Sequence, residues 1–184
     1  MSNSHAVPIL RTADLAVALR AVDGLLGIAD LRDLEIDYTA VISSPDALKA
    51  LTELVPYATW FACDDDGSSK PGDDPSAYLP IHWRALAEEP ETVPRFLEVL
   101  NGTPATVRWD FMGWPAAPEA GLGTGGARGA FVTLCVNVHD LELNEPADDY
   151  MVYVHVKQFE AERAPWLAAQ IGLRVIGEGV QAPY

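Results

Sequence analysis

Three stretches of this sequence alternate between apolar and polar residues, and their polar positions hold the side chains best suited to chemistry. From Ala130 to His139, Val132, Leu134, Val136 and Val138 share one parity, while Thr133, Cys135, Asn137 and His139 take the other. From Tyr150 to Lys157, Val152, Val154 and Val156 stand opposite Tyr153, His155 and Lys157. From Ala105 to Phe111, Val107, Trp109 and Phe111 stand opposite Arg108 and Asp110. A strand sends successive side chains to opposite faces, so burying the apolar sets against one core collects the polar sets on one sheet face. That face would hold Arg108, Asp110, Cys135, Asn137, His139, Tyr153, His155 and Lys157. It mixes donors, acceptors and groups that titrate near neutrality, as a binding or acid–base site requires. An antiparallel sheet also commonly turns such a face to water. The compact, apolar character of Cys135 and its neighbours argues against a wholly solvated face.

Other constellations are weaker. Placing Gly67 at the glycine of a calcium loop puts Asp64, Asp66 and Asp73 at ligand positions, but Ala62 falls at the first position and cannot ligate. A solvated loop is the better reading. The run Gly121-Leu-Gly-Thr-Gly-Gly126 has the spacing of a dinucleotide fingerprint. It follows a proline-containing stretch and precedes a strand, whereas the fingerprint must open a helix. Residues 113–129 read instead as a long flexible connection, with a lid over the polar face as one use. His139 and His155 lie on neighbouring strands, but nothing fixes a third zinc ligand, and Cys63 and Cys135 lack metal-type spacing. The sequence leads to the expectation of no bound metal and no cofactor.

Composition bounds the partners. The chain has 184 residues, 49% of them hydrophobic, and carries 27 acids against 12 bases for a net charge of −15. The apolar fraction excludes a disordered acidic tail, and the charge repels nucleic acid and anionic membrane while favouring basic protein surfaces. The acids cluster: eight lie between Asp64 and Glu91, against Lys70 and Arg84. Five more lie between Asp140 and Asp149 with no base. Such loops serve solubility or recognition. Asp64, Asp65, Asp66, Asp73 and Asp74 are the partner-binding candidates, with Trp114 or Tyr78 as an aromatic anchor. Core or loop packing is the plainer role for Trp114. The first residues carry no signal-peptide pattern and no uncharged run reaches membrane length, so a cytoplasmic location is expected.

The elements that would position these residues read as α-β-α-β-α-β-β-β-α-β. Leu10–Leu26 reads as a helix capped by Thr12, and residues 36–42 as a strand. Ser44-Pro45-Asp46 opens a second helix, and residues 59–63 form a short strand. Residues 77–100 read as helix in pieces, broken near Pro90 and Pro94 and ended by Asn101-Gly102. After the three alternating strands, residues 159–171 form a helix stopped at Gly172, and residues 173–176 a closing strand. The fold class is α+β: one domain over residues 1–184, a mixed, largely antiparallel sheet with helices mainly on one face. The functional expectation is a non-catalytic domain whose acidic loops engage a basic protein, as an immunity or antitoxin protein would. The alternative is a small-molecule-binding domain or enzyme on the polar sheet face, with His139 or His155 as base and Arg108 or Lys157 holding an anion.

Overall fold

Alternation builds one eight-stranded sheet in the order β3-β4-β2-β5-β6-β7-β1-β8. The computed structural model describes residues 4–63, 74–125 and 130–182, the side chain of Ala87 excepted. The strands are β1 (Ser4–Thr12), β2 (Glu35–Ile42), β3 (Thr59–Ala62), β4 (Ile81–Glu88), β5 (Ala105–Asp110), β6 (Phe131–Val138), β7 (Pro146–Lys157) and β8 (Val180–Gln181). Every pairing among the described residues is antiparallel. The helices are α1 (Leu15–Leu26), α2 (Pro45–Leu54), α3 (Val93–Leu100) and α4 (Arg163–Gln170). Buried residues from all four, among them Val22, Leu51, Phe96 and Leu167, join one core with Val107, Trp109, Val132, Leu134, Val136, Val152, Val154 and Val156. The helices therefore cover one face of the sheet, and the α+β class holds. None of them is long and apolar enough to cross a membrane.

Local chemistry explains the helix ends. Ser44 Oγ accepts the Ala47 N–H at 3.2 Å and Pro45 opens α2, as its sequence dictates. The cap of α1 is Asp14, whose carboxylate accepts the Ala16 and Val17 N–H groups at 2.8 and 3.3 Å. Thr12 instead ends β1. Gly24, within α1, admits α4's end: a Cβ there would stand 3.0 Å from Ile171 Cγ2. Gly172 takes φ +74°, and the Leu173 N–H reaches the Ala168 carbonyl at 2.9 Å, closing α4.

Four sequence expectations need correction. Residues 4–12 form a strand, so the helix expected from Leu10 begins only at Leu15; Pro8 is tolerated because the ladder with β7 shifts register beside it. Residues 81–88 form β4 rather than helix, because Ile81, Trp83 and Ala85 bury alternately and that burial outweighs the helical propensity of Ala-Leu-Ala-Glu. The chain closes with Val180–Gln181 paired to β1, not with residues 173–176. Val138 leaves the helix-side core: Asn137 adopts φ +56° at a register shift and reverses the parity beyond it. Val138 then packs with Ala6, Cys135, Leu143, Tyr153 and Ala182 in a second, smaller cluster on the opposite face.

Candidate functional site

Opposite the helices, the sheet carries a cleft of about 220 Å³. Five adjacent strands build its floor. Phe61 stands beside it on β3, and His82 and Arg84 enter from β4. Asp37 and Thr39 enter from β2, Thr106 and Arg108 from β5, Thr133 from β6 and His155 from β7. Register brings them together: Arg84 pairs with Thr39, Thr39 with Thr106, Asp37 with Arg108 and Arg108 with Thr133. The roof is the β6–β7 loop, through Leu141, Glu142 and Leu143. Its fold is held by Asp140, whose carboxylate accepts the N–H groups of Glu142, Asn144 and Glu145. Leu143 seals the loop by packing on the small apolar cluster.

Polar contacts fix the cleft's interior. An Arg108 Nη2 hydrogen donates to Asp37 Oδ2, with the two side chains 23% and 14% exposed. The guanidinium also lies 5.0 Å over the Phe131 ring, which meets the His155 ring edge-on at 5.7 Å. His155 Nε2 and Thr133 Oγ1 are 2.8 Å apart, and His155 is only 3% exposed. Behind it, the Trp114 indole N–H donates to the His155 carbonyl at 2.7 Å and fixes this part of β7. Two buried nitrogens remain. Arg108 Nε and His155 Nδ1 have no hydrogen-bond partner among the described residues.

Burial, reinforced by the Arg108 charge, pushes the His155 imidazole down to about 3, so it is neutral at physiological pH. Asp110, beyond Arg108 on the same face, is pushed up to about 6 by burial. Arg108 opposes that shift, while Asp37 and Glu35 add to it. His82 is lowered by burial.

Of the eight face residues expected from sequence, Arg108 and His155 line the cleft, with Asp110 adjoining Arg108 in the strand. Cys135 and Tyr153 are buried beneath the roof loop. Burial raises the Cys135 thiol, and Tyr153, pushed up to about 12, donates to the His139 carbonyl at 2.7 Å. Asn137 makes the bulge and donates to the Thr103 carbonyl at 3.1 Å. His139 lies beyond the far end of β6, bonded to Asp149, which also accepts from Arg11 Nε at 2.7 Å. Lys157 ends β7 with its ammonium 5.8 Å from the Phe159 ring centre. Neither histidine approaches the other, because the length of β6, about 25 Å, separates their surroundings. Among the described residues no three of His, Cys, Asp and Glu gather as a metal site.

The other candidates fare differently. Trp114 is 2% exposed in the core, edge-on to Phe111, so it offers no anchor to a partner. The connection after β5 does not roof the cleft in its described part. Residues 113–125 are tied to α4 by Arg163, which donates to the Pro115 and Gly123 carbonyls and to Glu160. Asp74 caps a short turn through Ser76. Asp64, Asp65, Asp66 and Asp73, and with them the calcium-loop alignment, lie outside the described residues.

Sequence reasoning missed Asp37, Thr39, His82, Arg84 and Thr106. The signal for Asp37 and Thr39 was present in the alternation of residues 36–42. That for His82 and Arg84 required reading residues 81–88 as a strand. Compared with protein-family models, curated proteins and solved structures, the chain matches none.

Proposed function

We propose that this is a small-molecule-binding domain whose ligand enters the sheet-face cleft. The observation that carries the reading is the pair of buried nitrogens, Arg108 Nε and His155 Nδ1, both on cleft-lining residues and both without a partner among the described residues. Buried polar groups are nearly always satisfied, and leaving one unmade costs about 1–3 kcal/mol. Both atoms have almost no accessible surface, so a polar molecule would meet that need by drawing the Arg108 and His155 side chains slightly toward the cleft. Binding is favoured over proton transfer, because a general base works best with a pKa near the operating pH and His155 lies far below it.

The test is a screen of small polar molecules by thermal stabilisation, run on the wild type and on Thr39→Phe. Thr39 lies mid-floor on β2, and phenylalanine suits a strand while filling the cleft. Compounds that stabilise the wild type should leave Thr39→Phe unmoved. Equal stabilisation of both would place binding elsewhere, and a blank screen would remove the reading.

A second reading, a basic protein partner of the immunity or antitoxin kind, rests on the net charge of −15 and on exposed Glu142, Glu145 and Asp148 in the β6–β7 segment. The two readings are compatible on one molecule.

A further inference from the structure

We propose that the ligand of this cleft is a small monocarboxylate carrying a second oxygen acceptor, with its carboxylate on Arg84 and the acceptor oxygen on the Nε–H of Arg108. The inference rests on the cleft being a binding site and assigns the class of molecule it takes.

Charge accounting supplies the carboxylate. The two cleft arginines are not equivalent. Arg108 is paired with Asp37, whereas the Arg84 guanidinium makes no ion pair or hydrogen bond with the described residues. An unpaired guanidinium facing a cleft is a fork for a carboxylate, which it can hold through two parallel hydrogen bonds. The hydroxyl-bearing Thr39 and Thr106 follow Arg84 in register across the next two strands and offer further donors beside it. Asp37 and Glu142 line the same cleft. The four charges that line the cleft sum to zero, but Arg84 alone among them lacks a side-chain partner among the described residues. A monoanion therefore suits it, and a dianionic phosphate monoester would meet the two acids at a cost.

Hydrogen-bond direction supplies the second group. Arg108 Nε has almost no accessible surface, so a small shift of the side chain must accompany its pairing with a ligand. Because a guanidinium Nε–H can only donate, that partner must be an acceptor. Asp37 already balances the Arg108 charge, which makes a neutral carbonyl or hydroxyl oxygen the fitting partner. The neutral His155 ring, held by Thr133, continues the polar wall beyond it. Arg84 is in register with Thr106, so Arg108 lies two strands across and two residues along, about 12 Å at the backbone, and the two ligand groups stand at opposite ends of a short molecule. A volume of about 220 Å³ is below the range of roughly 300–1,000 Å³ seen for drug-sized ligands. A keto or hydroxy acid of a few carbons fits these conditions.

The experiment is an NMR titration of the whole protein that follows the arginine Nε–H and cleft backbone resonances, with the keto acid levulinate, its neutral amide and inorganic phosphate as probes. Levulinate should move the Arg84 and Arg108 signals and bind about tenfold or more tightly than either other probe, the scale of one charge-assisted hydrogen bond. Arg84→Gln should bring levulinate down to the level of the amide. An amide that binds as tightly as the acid, tighter binding of phosphate, or an unaffected Arg84→Gln would overturn the carboxylate assignment and leave the cleft reading standing. Absence of any cleft response to all three probes overturns the proposal. If the Thr39→Phe comparison is also blank, the cleft reading falls with it. The acid–amide comparison in the wild type keeps the test decisive even if Arg84→Gln folds poorly.

Discussion

His155 is a histidine that the fold keeps from behaving as one. Its ring is buried between Thr133, Phe131 and the Arg108 charge, and burial with that charge holds it at about 3. The unfolded chain would protonate it near 6.5. Between these values the unfolded state binds a proton that the native state refuses, so His155 favours folding above 6.5 and loses that contribution as pH falls toward 3. Asp110 acts with the opposite sign. Raised to about 6, it keeps a proton in the native state that the unfolded chain releases near 3.9, so it favours folding at low pH and loses this as pH rises through 6. Between pH 4 and 6 the two offset each other. Asp110→Asn removes the offset. Its stability, measured by urea unfolding, should fall on acidification from pH 6 to 4 more steeply than that of the wild type, by up to about 1.4 kcal/mol per pH unit. Parallel profiles would mean that Asp110 is not shifted as described.

At the scale of elements, what was legible in the sequence followed from burial on one side only. The valines of β6 and β7 and the apolar positions of β5 announced their strands and their common core, because period-two alternation has no other economical reading. The site was half legible for the same reason. Arg108 and His155 fall on the face that parity assigns, but Asn137 reverses that parity in β6, and no local pattern marks a single left-handed asparagine inside a strand. His82 and Arg84 were hidden because residues 81–88 are composed like a helix and owe their strand state to β2 and β3 on either side. Arg163 was equally invisible. It is a fully buried cation whose partners, Pro115, Gly123 and Glu160, are mostly distant in sequence and include two carbonyls of a glycine-rich connection. Arg163→Met keeps the bulk and removes the donors, stranding those acceptors in the interior. It should cost about 3–5 kcal/mol in urea unfolding. A loss below about 1 kcal/mol would show that the connection is held by Trp114 and backbone pairing instead.

For the whole molecule, charge and cleft pull in different directions. A net charge of −15 steers cations and basic surfaces toward the protein, whereas the cleft gathers two of its 12 bases on the sheet's uncovered face. The Arg108–Asp37 pair sits locally against that field, and Arg84 gives an incoming anion a counter-charge. Steering and binding can thus be separated by experiment. Replacing Asp64, Asp65 and Asp66 together with asparagine should slow association with a basic protein partner and flatten its salt dependence. Levulinate affinity should change little by comparison. Unchanged association kinetics would remove these acids from any interface.

The sheet face opposite the helices is an organised cleft, open on one side, whose polar floor is shielded from water at His155. The most direct test is an NMR pH titration of the His155 imidazole in the intact protein. The ring resonances should stay at their neutral positions from pH 8 down to pH 5, because the ring titrates near 3. A His155 midpoint near the ordinary 6.5 would mean that water reaches the ring freely, and the cleft with its unsatisfied nitrogens would not exist as described.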